Sequence, residues 1–138
     1  MRQPVVAAAS VYSPKFLELG GSAVEGVYTN ANFFSGDTRP EVRKFVASFT
    51  AKFGTEPGSY TARAYDAMIL VATVMREYGV DRKAMHDGLS QVHDVPSVVF
   101  GKVSFDPETR RVKHPASVDL IVKDGAFALW DGTKPTAG

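Results

Sequence analysis

Cysteine is absent from the 138 residues. That excludes disulfides, a thiolate nucleophile and cysteine zinc sites, but leaves the compartment open, since many extracytoplasmic proteins also lack it. Excess charge is absent too: 16 Lys and Arg face 15 Asp and Glu, a net charge of +1. No block of like charge offers itself to phosphates or to an anionic membrane, so nucleic acid is not expected as a partner. No apolar run approaches the length of a membrane span, and residues 4–9 lack the layout of a secretion signal. That stretch reads as a buried strand. With so little chain before it to pair with, it raises the expectation that the sequence begins inside a larger protein. What is present suffices for a core, because 44% apolar and 22% charged residues suit one folded domain of ordinary size.

The motifs of common chemistries are incomplete. Gly101-Lys102 lacks the upstream Gly of a phosphate loop, and no Gly-x-Gly-x-x-Gly is present, so neither cradle of backbone amides can be built. Gly20-Gly21-Ser22 lacks the Gly beyond the Ser that a nucleophile elbow needs. His86, His93 and His114 have no metal-ligand spacing and read as solvated side chains. Glu18, Glu25, Asp66, Asp106, Asp119 and Asp131 are scattered without the spacing of a paired acid and base. Asp66, near the start of an apolar helix, reads as an anchor that accepts amides from a neighbouring loop. No enzyme activity, metal or cofactor is expected.

Local patterns give an α/β order with an antiparallel ending. Ser13-Pro14 caps a short helix that Gly20-Gly21 ends. Residues 26–34 read as extended. Thr38-Arg39-Pro40-Glu41 has the spacing of a capping box, and behind it Val42, Phe45, Val46, Phe49 and Phe53 form a helical stripe whose ordinary role is core packing. A second helix is predicted from Ser59 to Tyr78, with small residues that permit close packing against a sheet, and Asp81 caps a third. From Ser97 onward the alternation predicts strands. Asp124-Gly125 is the strongest hairpin signal.

Several of these runs, taken in order, resemble the type I periplasmic binding proteins of branched-chain amino acid ABC transporters. They are Ala23-Val24-Glu25-Gly26-Val27-Tyr28, Pro40-Glu41-Val42 with Phe45 and Phe49, Ala51-Lys52-Phe53-Gly54-Thr55-Glu56-Pro57, Ala64-Tyr65-Asp66-Ala67, and Phe100-Gly101-Lys102-Val103-Ser104-Phe105-Asp106. The resemblance covers about residues 4–131 and matches only the carboxy-terminal part of such receptors. It implies a fragment of a two-lobed α/β fold, with 1–34 in the second lobe, 35–115 in the first, and 116–138 as the final strands of the second lobe and a tail. Hinge crossings are implied near residues 32–34 and 113–115.

The implied function is the periplasmic or extracellular solute-binding component of an ABC importer, which closes on a small molecule and is then recognised by a membrane permease. A ligand-sensing domain of a signalling receptor is the rival within the same fold, and an α/β enzyme using Asp66 or Asp106 the rival outside it. The positions matching the family's binding places are Ser10, Tyr12, Tyr60 and Ala62, with Phe33 as hinge packing or cleft wall. Ordinary roles stand against each: strand end for Ser10, packing for Tyr12, a helix-entry staple for Tyr60. Family members that bind amino acids commonly carry an acidic residue near the end of the strand matched by residues 5–10. Here that stretch has none, which leaves an aliphatic or aromatic carboxylate, or an amide, beside an amino acid as ligand classes. Open strand edges imply that the chain associates with another copy of itself.

Overall fold

The computed structural model describes residues 3–132. Its elements are α1 (Pro14–Gly20), β1 (Tyr28–Ala31), α2 (Pro40–Phe53), α3 (Ser59–Tyr78), α4 (Arg82–Gln91), β2 (Val95–Ser97), β3 (Gly101–Val103), β4 (Val118–Lys123) and β5 (Ala126–Leu129). They form two regions.

The sheet region combines both ends of the described chain. Its strands run β1-β4-β5, all antiparallel, with Ala31 opposite Val118 and Tyr28 opposite Ile121. Asp124 and Gly125 both take positive φ, 53° and 73°, as the two-residue turn between β4 and β5 requires. The turn is also held from outside, because the Glu25 carboxylate accepts the Asp124 amide at 2.8 Å and the Gly125 amide at 3.1 Å. Val27, Ala31, Leu120 and Val122 are buried. On α1, Ser13 Oγ accepts the Phe16 amide at 3.3 Å, the cap expected from Ser13-Pro14. Phe16 then stacks on Phe127 of β5 with ring centres 6.3 Å apart.

The opening segment departs from expectation. It joins the sheet through one parallel bridge, Val6 to Tyr28, with Tyr28 N donating to Val5 O at 2.9 Å and Ala7 N to Tyr28 O at 2.8 Å. Val6 remains 78% exposed. Among the described residues it pairs on one side only, and its apolar residues are not buried as the run of Val and Ala suggested.

The helical region spans residues 33–112 and holds two apolar clusters. Phe33, Val42, Phe45, Ala62, Val98 and Val99 join α2 to the start of α3 and to the loop after β2. Val74, Val92, Val95 and Val103 join α3 and α4 to the β2–β3 pair. Gly88 lets α4 approach, since a Cβ there would lie 2.6 Å from Val74 Cγ1. Asp81 accepts the Ala84 amide at 2.9 Å and caps α4 as predicted.

Two local expectations fail for stated reasons. The capping box at Thr38 does not form: Arg39 is the cap residue, without a side-chain cap bond. The buried Asp37 carboxylate takes the Arg39 amide at 2.9 Å and its Nε at 2.8 Å instead. The strand expected from Ser97 is realised only in part, as β3, because residues 98–100 form a turn with β2 lying before it. The cause is Asp66, whose carboxylate accepts the Val98 amide at 2.9 Å, the Val99 amide at 3.0 Å and the Ser97 hydroxyl. A main chain committed to that carboxylate cannot run on in a ladder. The anchor role read for Asp66 is thus observed.

Candidate ligand-binding site

The two regions meet where the chain leaves β1 and where it returns before β4, and the predicted site residues lie around these crossings. Tyr12 follows the 3-10 turn Ala9–Val11. Its ring packs edge-on against Phe127 at 4.9 Å and against Phe34 of the first crossing at 6.1 Å. Ser35 and the Glu56 carboxylate lie near enough to its hydroxyl to act on it. Burial, aided by Glu56 and opposed by Ser35, holds the phenol above the usual tyrosine range. Tyr12 is therefore half-buried between the regions, with a neutral hydroxyl at neutral pH.

Tyr60 lies in the first turn of α3 and is 83% exposed, with the Arg63 guanidinium 6.0 Å from its ring centre. Gly58 caps this helix without a side chain, so the first-turn amides keep their hydrogen-bonding capacity and the positive end of the helix dipole. Ser10 is exposed. Phe33 and Ala62 have no exposed surface: Phe33 packs edge-on against Phe45 at 5.9 Å, and the Ala62 amide donates to Gly58 O at 3.0 Å. Neither side chain can touch a ligand in this conformation. Both belong to one buried apolar cluster.

A wide groove lies elsewhere. About 890 Å³ opens between α2 and α3, lined by Phe45, Phe49, Phe53, Tyr65 and Ile69 with lysines at its rim, and none of the five predicted residues lines it. The aromatic stripe of α2 thus buries Phe45 and packs a half-buried Phe49 against the core, while Phe53 is 56% exposed. Beside the groove, α3 presents Tyr60, Met68, Met75 and Tyr78 to solvent. Of the face expected to pack on a sheet, Val74 is buried against the β2–β3 pair and the rest is largely bare.

His86, His93 and His114 are exposed, and among the described residues no cluster of His, Asp or Glu could hold a metal. No helix among them is long and apolar enough to cross a membrane.

With this geometry in view, comparison with known proteins decides the family. Residues 2–129 match the family model described as periplasmic binding protein. The chain belongs to that family.

Among solved structures, a Rhodospirillum rubrum protein described as a branched-chain amino acid ABC transporter is 35% identical, with a TM-score of 0.76 over 94% of this chain and 38% of its own. A substrate-binding protein of Desulfitobacterium hafniense, solved in complex with leucine, is 25% identical, with a TM-score of 0.75 over 94% of this chain and 36% of its own. A leucine-binding protein of Thermotoga maritima shares the fold at 23% identity, with a TM-score of 0.81 over 94% of this chain and 37% of its own. None of the curated proteins matches. The chain spans under two fifths of the length of each of these three solved proteins. Its α/β fold is therefore part of the type I periplasmic-binding-protein fold.

Proposed function

We propose that the chain is part of the extracytoplasmic solute-binding component of an ABC importer, which holds an amino acid or small carboxylate between two lobes closing about a hinge. The observation that carries this reading is the 35% identity over 94% of the chain to the Rhodospirillum rubrum protein. The leucine bound to the Desulfitobacterium hafniense protein supports an amino acid as the ligand class.

In this reading the sheet region belongs to one lobe and the helical region to the other. Tyr12 and Tyr60 approach the ligand from opposite sides, Ser10 adds a hydroxyl, and Phe33 and Ala62 support the wall. No covalent step is involved. A ligand that touches both lobes favours the closed form by as much as its affinity for the two forms differs, and a permease reads that form.

The test is a hybrid in which residues 4–131 replace the matching part of the Rhodospirillum rubrum protein, screened by thermal shift against amino acids, small carboxylates and amides. A true ligand at a hundred times its Kd stabilises the hybrid by about 2.7 kcal/mol. A folded hybrid whose melting no member of the panel raises contradicts the proposal.

The isolated chain pairs with a second copy through the bare face of α3. Tyr60, Met68, Met75 and Tyr78 are 41–83% exposed there, and such an apolar seam on one helix favours association. Sedimentation velocity is expected to give a dimer or larger species that Met68→Lys returns to monomer. A parent chain already monomeric at high concentration contradicts it.

A further inference from the structure

The β1–β4 ladder ends at Ala31 opposite Val118. One residue further on, main-chain pairing gives way to a side chain: Asn32 Nδ2 donates to the Ala116 carbonyl at 3.0 Å, across 84 positions of sequence. The other half of the same amide faces the helical region, where Arg63 Nη2 donates to Asn32 Oδ1 at 3.3 Å. Arg63 stands on α3 beside the Tyr60 ring. The next carbonyl, that of Phe33, accepts the Ser59 hydroxyl at 3.5 Å. One planar amide therefore ties the outgoing crossing, the returning crossing and the start of α3 together. Asparagine suits this task because it carries a donor and an acceptor on one short side chain. A carboxylate would lack the donor, and alanine would lack both.

We infer that Asn32 is a positioning residue that couples the two crossings to α3 and so sets how freely the sheet and helical regions move relative to each other. Its consequence for ligand affinity rests on the two-lobed reading, whereas the coupling itself does not. Asn32 touches no ligand in this scheme. It acts through Arg63 and Ala116, and limits the orientations from which Tyr12 and Tyr60 can meet a solute.

The absence of cysteine permits a direct test on the full chain. Spin labels at Arg82→Cys on α4 and Lys123→Cys at the end of β4, both exposed positions, report the distance between the regions. Unlabelled chain is kept in excess, so that only distances within one molecule are read. Asn32→Ala and Arg63→Gln are each expected to broaden the distance distribution, with the untied population rising about two- to five-fold, the change that loss of a modest hydrogen bond brings. Asn32→Asp, which retains the acceptor for Arg63, is expected to stay narrower than Asn32→Ala. The double variant Asn32→Ala with Arg63→Gln is expected to be no broader than Asn32→Ala alone, since both act through one link. Circular dichroism melts are expected to stay close to the parent, which separates coupling from a general loss of stability. Distributions unchanged in both single variants overturn the inference, as does broadening in Asn32→Ala with none in Arg63→Gln. Because no ligand enters the measurement, its outcome is independent of whether the hybrid receptor binds an amino acid.

Discussion

In the helical region Asp66 reaches main-chain amides 32 and 33 positions away, whereas in the sheet region Glu25 reaches amides 99 and 100 positions away. Each carboxylate does the same physical work, fixing a turn by accepting two backbone donors. The distances along the chain differ about threefold, and this separates the regions. Helices α2 to α4 and the β2–β3 pair close short loops and share two apolar clusters. The sheet forms only when the segment before α2 meets the segment after β3, at a higher cost in loop-closure entropy. The helical region is thus locally assembled but bare on the outer face of α3, and the sheet region is neatly paired but dependent on its distant ends.

The comparison can be broken at several points. Leu120, fully buried in β4, gives the largest expected effect: Leu120→Ala loses about 3 kcal/mol in a denaturant melt. Hydrogen exchange is expected to speed up in β1, β4 and β5 while α3 keeps its protection. Loss of protection throughout would mean that the two regions unfold as one unit. Asp66→Ala follows at about 2 kcal/mol, since the Val98 and Val99 amides and the Ser97 hydroxyl lose their acceptor. Here the loss of protection is expected in α3 and the turn at 98–100, sparing the sheet. Glu25→Ala is smaller and local, with faster exchange at the Asp124 and Gly125 amides and little change elsewhere.

The smallest effect is alkaline. The Tyr12 phenol is raised, foremost by burial, so the folded state favours its neutral form. That stabilisation is complete below about pH 10, the unfolded tyrosine value, and is lost as pH climbs through the higher folded value. Ultraviolet titration is expected to show one of the five tyrosines ionising late, and Tyr12→Phe to remove that late step. A late step that survives the substitution would place it on another tyrosine.

Much of the fold was legible where the signal is local. Ser13 and Asp81 cap their helices by short-range geometry, α3 follows its apolar periodicity from Ser59 to Tyr78, and Asp124-Gly125 makes the hairpin because both positions take positive φ. The failures arise where a distant or competing group intervenes. Asp37 preempts the Thr38 cap, Asp66 turns the chain after Ser97, and the Val-rich opening stays exposed because burial depends on neighbours beyond its own pattern. Of the candidate site, only positions were legible. Spacing alone did not reveal that Phe33 and Ala62 face inward, that Tyr12 lies between Phe34 and Phe127, or that Asn32 links two stretches 84 residues apart.

Titration calorimetry, into the hybrid receptor carrying residues 4–131, of the compound that raises its melting most in the thermal-shift panel tests the central claim most directly. The account predicts saturable one-site binding that Tyr60→Ala weakens about ten-fold, equivalent to about 1.4 kcal/mol, with Tyr12→Ala weakening it as well. A folded hybrid that binds no member of the panel, or binds its ligand equally well after both substitutions, would contradict a ligand held between these two regions.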